Sequence, residues 1–163
     1  GYMSLETLRY LQDVIDIYLV DFKYMSPELA KKYSEADDYP GIVKKALEKM
    51  YQLTGTPVFN NDGILQKGVI VRHLVLPGHT KDSMEILKYL RERYKNQIYV
   101  SIMNQYTPVI RQEKYPNLNR CVTAREYNKV LDYAISVGIE NAFFQEGNTA
   151  KDSFIPEFDC TFV

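Results

Sequence analysis

Three dense apolar runs, IDIYLVDFKY (15–24), GVIVRHLVL (68–76) and QIYVSIMNQ (97–105), are each followed by residues of helical period. Short apolar runs bounded by turn signals are strands. Strands separated by helical crossovers pair in parallel, with the helices packed outside the sheet. The run at 15–24 is apolar enough at its centre to be a strand buried on both faces. The intervening segments support the same order. SLETLRYLQDV (4–14) sets Leu5, Leu8, Leu11 and Val14 three residues apart behind the N-cap Ser4. Ser26-Pro27-Glu28 opens a helix over about 27–36 with proline at its first position. DDYPGIVKKALEKMYQLTG repeats that device, with Ile42, Val43, Ala46, Leu47 and Met50 facing inward and Gly55 at the end. Asn61-Asp62-Gly63 marks a hairpin turn leading into the strand at 68–76. The segment 80–94 is a helix with Thr80 or Asp82 near its start and Ile86, Leu87 and Leu90 inward. TAREYNKVLDYAISVG (123–138) opens with a capping box, Thr123 to Glu126, and ENAFFQ (140–145) is a last short strand.

In folds of this kind ligands bind beyond the carboxyl ends of the strands. Three strand ends therefore carry the candidate chemistry. Asp21 and Lys23 share a face by the two-residue period of a strand. They either neutralise each other or serve a zwitterionic ligand, Lys23 taking a carboxylate and Asp21 a hydroxyl or amine. Arg72 lies inside an apolar run, and its planar fork suits a carboxylate or phosphate. Buried without an acidic partner or a ligand it would be costly. His73 points to the opposite face and reads as a hydrogen-bonded packing residue. His79 follows the Pro77-Gly78 break, as a solvated loop residue or part of a lip. At the third strand end, Asn104, Gln105 and Tyr106 offer two amides and a phenol, either a polar strand terminus or contacts to a ribose or adenine edge. The polar loop 107–121 is of a length usually kept for function.

Composition closes several routes. The 163 residues carry a net charge of -1, with 45% hydrophobic and 25% charged residues, which suits one soluble globular domain and gives no basic field for nucleic acid. No run of ~18 apolar residues is present, so no membrane span is expected. The two cysteines, Cys121 and Cys160, offer neither a disulfide framework nor a metal-ligand set, and read as reduced thiols of a cytoplasmic protein. No Ser/His/Asp or Cys/His pairing and no glycine-rich phosphate loop is legible.

Four blocks in order, SLETLRYLQDVIDIYLVDFKY, GVIVRHLVLPGHT, MNQYTP and YPNLNR, resemble the carboxyl-terminal half of radical S-adenosylmethionine proteins related to the pyruvate formate-lyase activating enzyme. The resemblance runs from about Gly1 to about Phe144. It implies the carboxyl-terminal part of a partial (β/α) barrel, TIM-like, with parallel strands and outer helices. It also implies S-adenosylmethionine and a 4Fe–4S cluster as cofactors. In that family a CxxxCxxC motif holds the cluster, whose unique iron binds the amino and carboxylate groups of S-adenosylmethionine. Reductive cleavage yields a 5'-deoxyadenosyl radical, which in activases abstracts hydrogen from a glycine of a partner glycyl radical enzyme. Carried over position by position, the resemblance sets Asp21 and Lys23 at the ribose and carboxylate, and Arg72 at a carboxylate. Leu74 would flank adenine, and Asn104, Gln105 and Tyr106 would lie at the ribose or adenine. It assigns no catalytic role to His73 or His79.

The departure from the family is as informative as the match. CxxxCxxC is absent, and two cysteines cannot supply three cluster ligands. The expectation is one incomplete half-barrel over 1–163, a fragment of a longer oxidoreductase, with an irregular tail at 146–163. By itself such a chain would be inactive. The alternatives are a degenerate, non-catalytic half-barrel for nucleotide binding or protein interaction, and an unrelated α/β enzyme using Asp21 and Lys23 for acid–base work. A half-barrel would also expose the edge of the strand at 15–24 and an apolar face, favouring self-association.

Overall fold

The computed structural model of the protein describes residues 2–144. The tail at 146–163 and Cys160 lie outside the described residues. The chain runs α1 (Leu5–Tyr10), β1 (Ile17–Asp21), α2 (Pro27–Ser34), α3 (Tyr39–Thr54), β2 (Val58–Phe59), β3 (Leu65–Leu74), α4 (Thr80–Tyr94), β4 (Tyr99–Met103), a 3-10 turn (Pro116–Leu118), α5 (Ala124–Ser136) and β5 (Ala142–Phe144). Strands β1, β3, β4 and β5 pair in parallel in that spatial order, and β2 folds back antiparallel on β3. The result is an α/β fold, a parallel-strand sheet with flanking helices.

Local sequence chemistry sets most element boundaries. Ser4 and Ser26 accept the Thr7 and Leu29 amides at the starts of α1 and α2. The capping box of Thr123 and Glu126 opens α5, as its spacing predicts. The hairpin turn is held by Asn60, whose Oδ1 accepts the amides of Asp62 and Ile64, while Gly63 takes φ 74°. Helix α4 starts at Thr80 with Asp82 in its first turn, as expected. His79 stands at the cap position without a side-chain capping bond, and Asp82 accepts the Met25 and Ser26 amides at 3.0 and 2.7 Å. A first-turn aspartate thus fixes the β1–α2 connection, 56 residues away in sequence.

The helices cover one face of the sheet. Tyr18, Val20 and Phe22 from β1 and its exit, Val69, Val71, His73 and Val75 along β3, and Val100 and Ile102 on β4 are buried against Leu47, Ile86, Leu87, Leu90 and Val130. The alternate residues look the other way. Leu19 is 56% exposed, Ile17 is exposed on the same strand, and Phe143 is exposed on β5 at the other edge of the sheet. The expectation that β1 is buried on both faces is therefore corrected. Its apolar centre alternates because helices lie on only one side and β1 is an edge strand, paired to β3 alone among the described residues. In α1 only Leu8 of the apolar ladder is fully buried, and Val14 is 73% exposed. One open apolar face, with β1 and β5 each paired on one side only among the described residues, suits an unclosed, barrel-like sheet.

Candidate functional site

The open face carries a pocket at the carboxyl ends of β1, β3 and β4. Asp21, Lys23, Tyr24, Arg72, Leu74, Leu76, Met103, Gln105 and Tyr106 line a cavity of about 380 Å³. Of the residues singled out from sequence, Asp21, Lys23, Arg72, Leu74, Gln105 and Tyr106 meet here. Asn104 does not line the cavity. These residues lie far apart in sequence, and parallel register brings them together: Asp21 stands opposite Arg72, and Arg72 opposite Ser101.

The charged pair is Asp21 with Arg72, not Asp21 with Lys23. Nε and Nη2 of Arg72 both reach Asp21 Oδ1 at 2.8 Å. Two donors converge on one oxygen, so Asp21 Oδ2 and Arg72 Nη1 stand outside this pairing. That leaves an acceptor suited to a hydroxyl and a donor suited to a carboxylate on the same pair. Lys23 is exposed at the mouth. The backbone beneath it is held by Tyr39, whose hydroxyl donates to the Asp21 carbonyl at 2.7 Å and accepts the Lys23 amide at 3.0 Å. Burial pushes the Tyr39 phenol up to about 12, so it stays protonated and keeps both bonds. Sequence reasoning missed Tyr39. Its position in the first turn of a helix gave no sign that the hydroxyl would close a strand end.

His73 is buried on the helix side, away from the cavity, with its Nδ1–H donating to the Phe22 carbonyl at 2.8 Å. It is a packing residue, and burial holds its imidazole below the ordinary range, hence neutral. His79 is not a solvated loop residue. Its Nε2 lies 2.8 Å from the Tyr33 hydroxyl and 3.1 Å from Asn117 Nδ2, which also donates to Tyr33 at 3.0 Å. This knot pins the long loop 107–121 to the lip that follows β3. A second anchor is Glu126, which accepts the Gly78 amide at 2.8 Å and a two-pronged Arg120 guanidinium. Arg120 holds the Glu126 carboxyl well below the usual carboxylate range. Tyr106 joins the cavity wall to the same loop through its bond to the Leu118 carbonyl at 2.9 Å. The loop is thus tied to the site through Tyr106, although none of its own residues lines the cavity.

Two properties of the cavity bear on cofactors. An apolar flank (Leu74, Leu76, Met103) beside a carboxylate, an ammonium and a guanidinium suits a nucleoside-like ligand that carries a charged tail. Among the described residues no group of three or more His, Cys, Asp or Glu side chains is placed to hold a metal, and Cys121 is a free, exposed thiol. Among them, too, no helix is long and apolar enough to cross a membrane.

No family model matches the chain, and no solved structure matches it. The chain is similar to an uncharacterized protein of Methanocaldococcus jannaschii. The two are 31% identical over 134 residues, covering 82% of this chain and 35% of the relative. The chain therefore spans little more than a third of the length of the curated relative it matches.

Proposed function

We propose that this chain is the cofactor- and substrate-side half of a radical S-adenosylmethionine protein of the glycyl-radical-activase type. The observation that carries the reading is the convergence of Asp21, Lys23, Arg72, Leu74, Gln105 and Tyr106 on one cavity at the strand ends. Asp21 Oδ2 would take a ribose hydroxyl, Lys23 and Arg72 the methionyl carboxylate, and Leu74 and Tyr106 the two sides of the adenine. When bound, S-adenosylmethionine supplies an adenosyl group that abstracts hydrogen after reductive cleavage. This chain's own residues bind and orient it, with Tyr106 held in the cavity wall by its bond to the loop. They hold no cluster, so the cysteine ligands must come from another part of the polypeptide. The open edge and face fit the same reading, since completing strands would cover them. In the isolated chain a second copy would take that place. The substrate would be a glycine-bearing segment of a partner enzyme.

Two measurements test the proposal. Extending the reading frame upstream of Gly1 should reveal CxxxCxxC, and its absence would leave a non-catalytic half-barrel. Titrating S-adenosylmethionine into the isolated chain, followed by NMR, should give weak binding with shifts confined to Asp21, Lys23, Arg72, Leu74, Gln105 and Tyr106. Tight binding that survives joint replacement of Lys23 and Arg72 would refute the assignment of those residues.

A further inference from the structure

A second cleft lies at the same end of the sheet. Lys31, Lys32, Glu35, Asp37, Lys114 and Tyr115 line about 670 Å³ between α2 and the loop 107–121. Both walls leave strand ends that form the first cavity, α2 following β1 and the loop following β4. The two are linked by aromatic rings. Tyr24, a wall of the first cavity, packs on Tyr33 with centroids 6.4 Å apart, and Tyr33 meets Tyr115 edge-on at 5.0 Å. Tyr33, which packs against Tyr115, is itself held by His79 and Asn117.

The lysines of this cleft are held in an unusual way. Lys32 Nζ lies 5.1 Å from the Tyr33 ring centre and 5.7 Å from that of Tyr115, and Lys114 Nζ lies 5.3 Å from Tyr115. Two ammonium groups thus share one ring. None of Lys31, Lys32 and Lys114 has a carboxylate within 4.0 Å among the described residues, although Glu35 and Asp37 line the same cleft. The Tyr33 and Tyr115 rings position Lys32 and Lys114 without neutralising them, and although Glu35 acts on Lys114 from a distance, three ammonium groups lining one cleft leave a site for anionic groups. The acidic pair sets the ligand class. A polyphosphate would place its dense charge against Glu35 and Asp37 as well. An extended peptide can rest carboxylates on the lysines and leave neutral backbone or a basic side chain beside the acids.

We propose that this cleft docks an acidic segment of a polypeptide and so guides a protein substrate toward the first cavity. The partner class rests on the activase reading, whereas the binding chemistry of the cleft does not. The test is fluorescence anisotropy with a labelled hexaglutamate peptide and the full 163-residue chain. Joint Lys31→Glu, Lys32→Glu and Lys114→Glu should weaken binding by at least about tenfold. The same charge change on α3, Lys44→Glu with Lys45→Glu and Lys49→Glu, should weaken it by less than about threefold. In the wild-type chain, hexaglutamate should protect Lys31, Lys32 and Lys114 from acetylation by an activated ester, read by mass spectrometry. Equal weakening by the two triple variants, or no protection, overturns the proposal. So does displacement of the peptide by pyrophosphate at lower concentration than by unlabelled hexaglutamate. Hexaglutamate binding requires neither cluster nor S-adenosylmethionine, so failure of the activase reading would show only in the cofactor titration.

Discussion

Asp21 and Arg72 occupy matched positions on neighbouring parallel strands, and both contacting nitrogens of Arg72 converge on a single Asp21 oxygen. The side chains remain 38% and 42% exposed, so water screens the pair strongly. Its contribution to folding should be no more than about 1 kcal/mol. A double-mutant cycle with Asp21→Asn and Arg72→Gln, read by urea unfolding, checks this. A coupling above about 2 kcal/mol would instead indicate a desolvated structural pair. Small coupling with impaired ligand binding is the signature of a pair kept for the site.

Glu126 bonds α5 to the lip after β3 and to Arg120 at once. Glu126→Ala should destabilise the chain by about 1–2 kcal/mol at neutral pH, combining the lost capping-box bond with lost charge-assisted bonds. The folded carboxyl sits below its ordinary range, so this stabilisation is full above the unfolded value of about 4.3. It disappears as pH falls toward the folded value. Hydrogen exchange at the Gly78 amide should accelerate in the variant. A protection factor equal to wild type would count against Glu126 as the anchor.

His73 and His79 are both held below the ordinary histidine range, chiefly by burial, with Lys32 adding to the effect on His79 and Asp82 and Glu126 opposing it. Both imidazoles are therefore neutral in the fold, while the unfolded chain takes up protons near pH ~6.5. Stability should fall as pH drops through the unfolded value of about 6.5, and level only below the folded values, once the folded histidines also protonate. Urea midpoints across that range provide the measurement. His79→Gln should flatten part of the slope and His73→Gln the remainder. A midpoint independent of pH in the wild type would exclude the linkage.

The fold was legible where local chemistry decides. Caps at Ser4, Ser26 and Thr123, the Asn60–Gly63 turn and the strand–helix alternation all mark their elements in the sequence. Strand ends point to the cavity because parallel register gathers them on one edge, which is why Asp21, Arg72 and Tyr106 meet. Long-range side-chain bonds were not legible. Asp82 reads only as a residue near its helix start, yet binds Met25 and Ser26. Tyr39 carries no signal in its segment, yet closes the end of β1. His79 reads as a loop residue, but Asn117, 38 positions on, converts it into a junction. Each depends on a partner that no local pattern names. The burial of β1 was misread for a related reason: composition gives apolar content, but the number of packed faces depends on what lies across the sheet.

Leu19 and the outer edge of β1 provide the last prediction. Strand β1 has a partner on one side only, and Ile17 and Leu19 project from its helix-free face. Unpaired backbone groups next to exposed apolar side chains are a template for pairing with another chain. The 163-residue chain should therefore self-associate as its concentration rises, detectable by sedimentation velocity. Leu19→Lys places a charge on that face without touching the helix-side core. It should weaken association by about tenfold or more while changing folding stability by less than about 0.5 kcal/mol. A clean monomer at high micromolar concentration, or a dimer indifferent to Leu19→Lys, would show that this edge is not the contact.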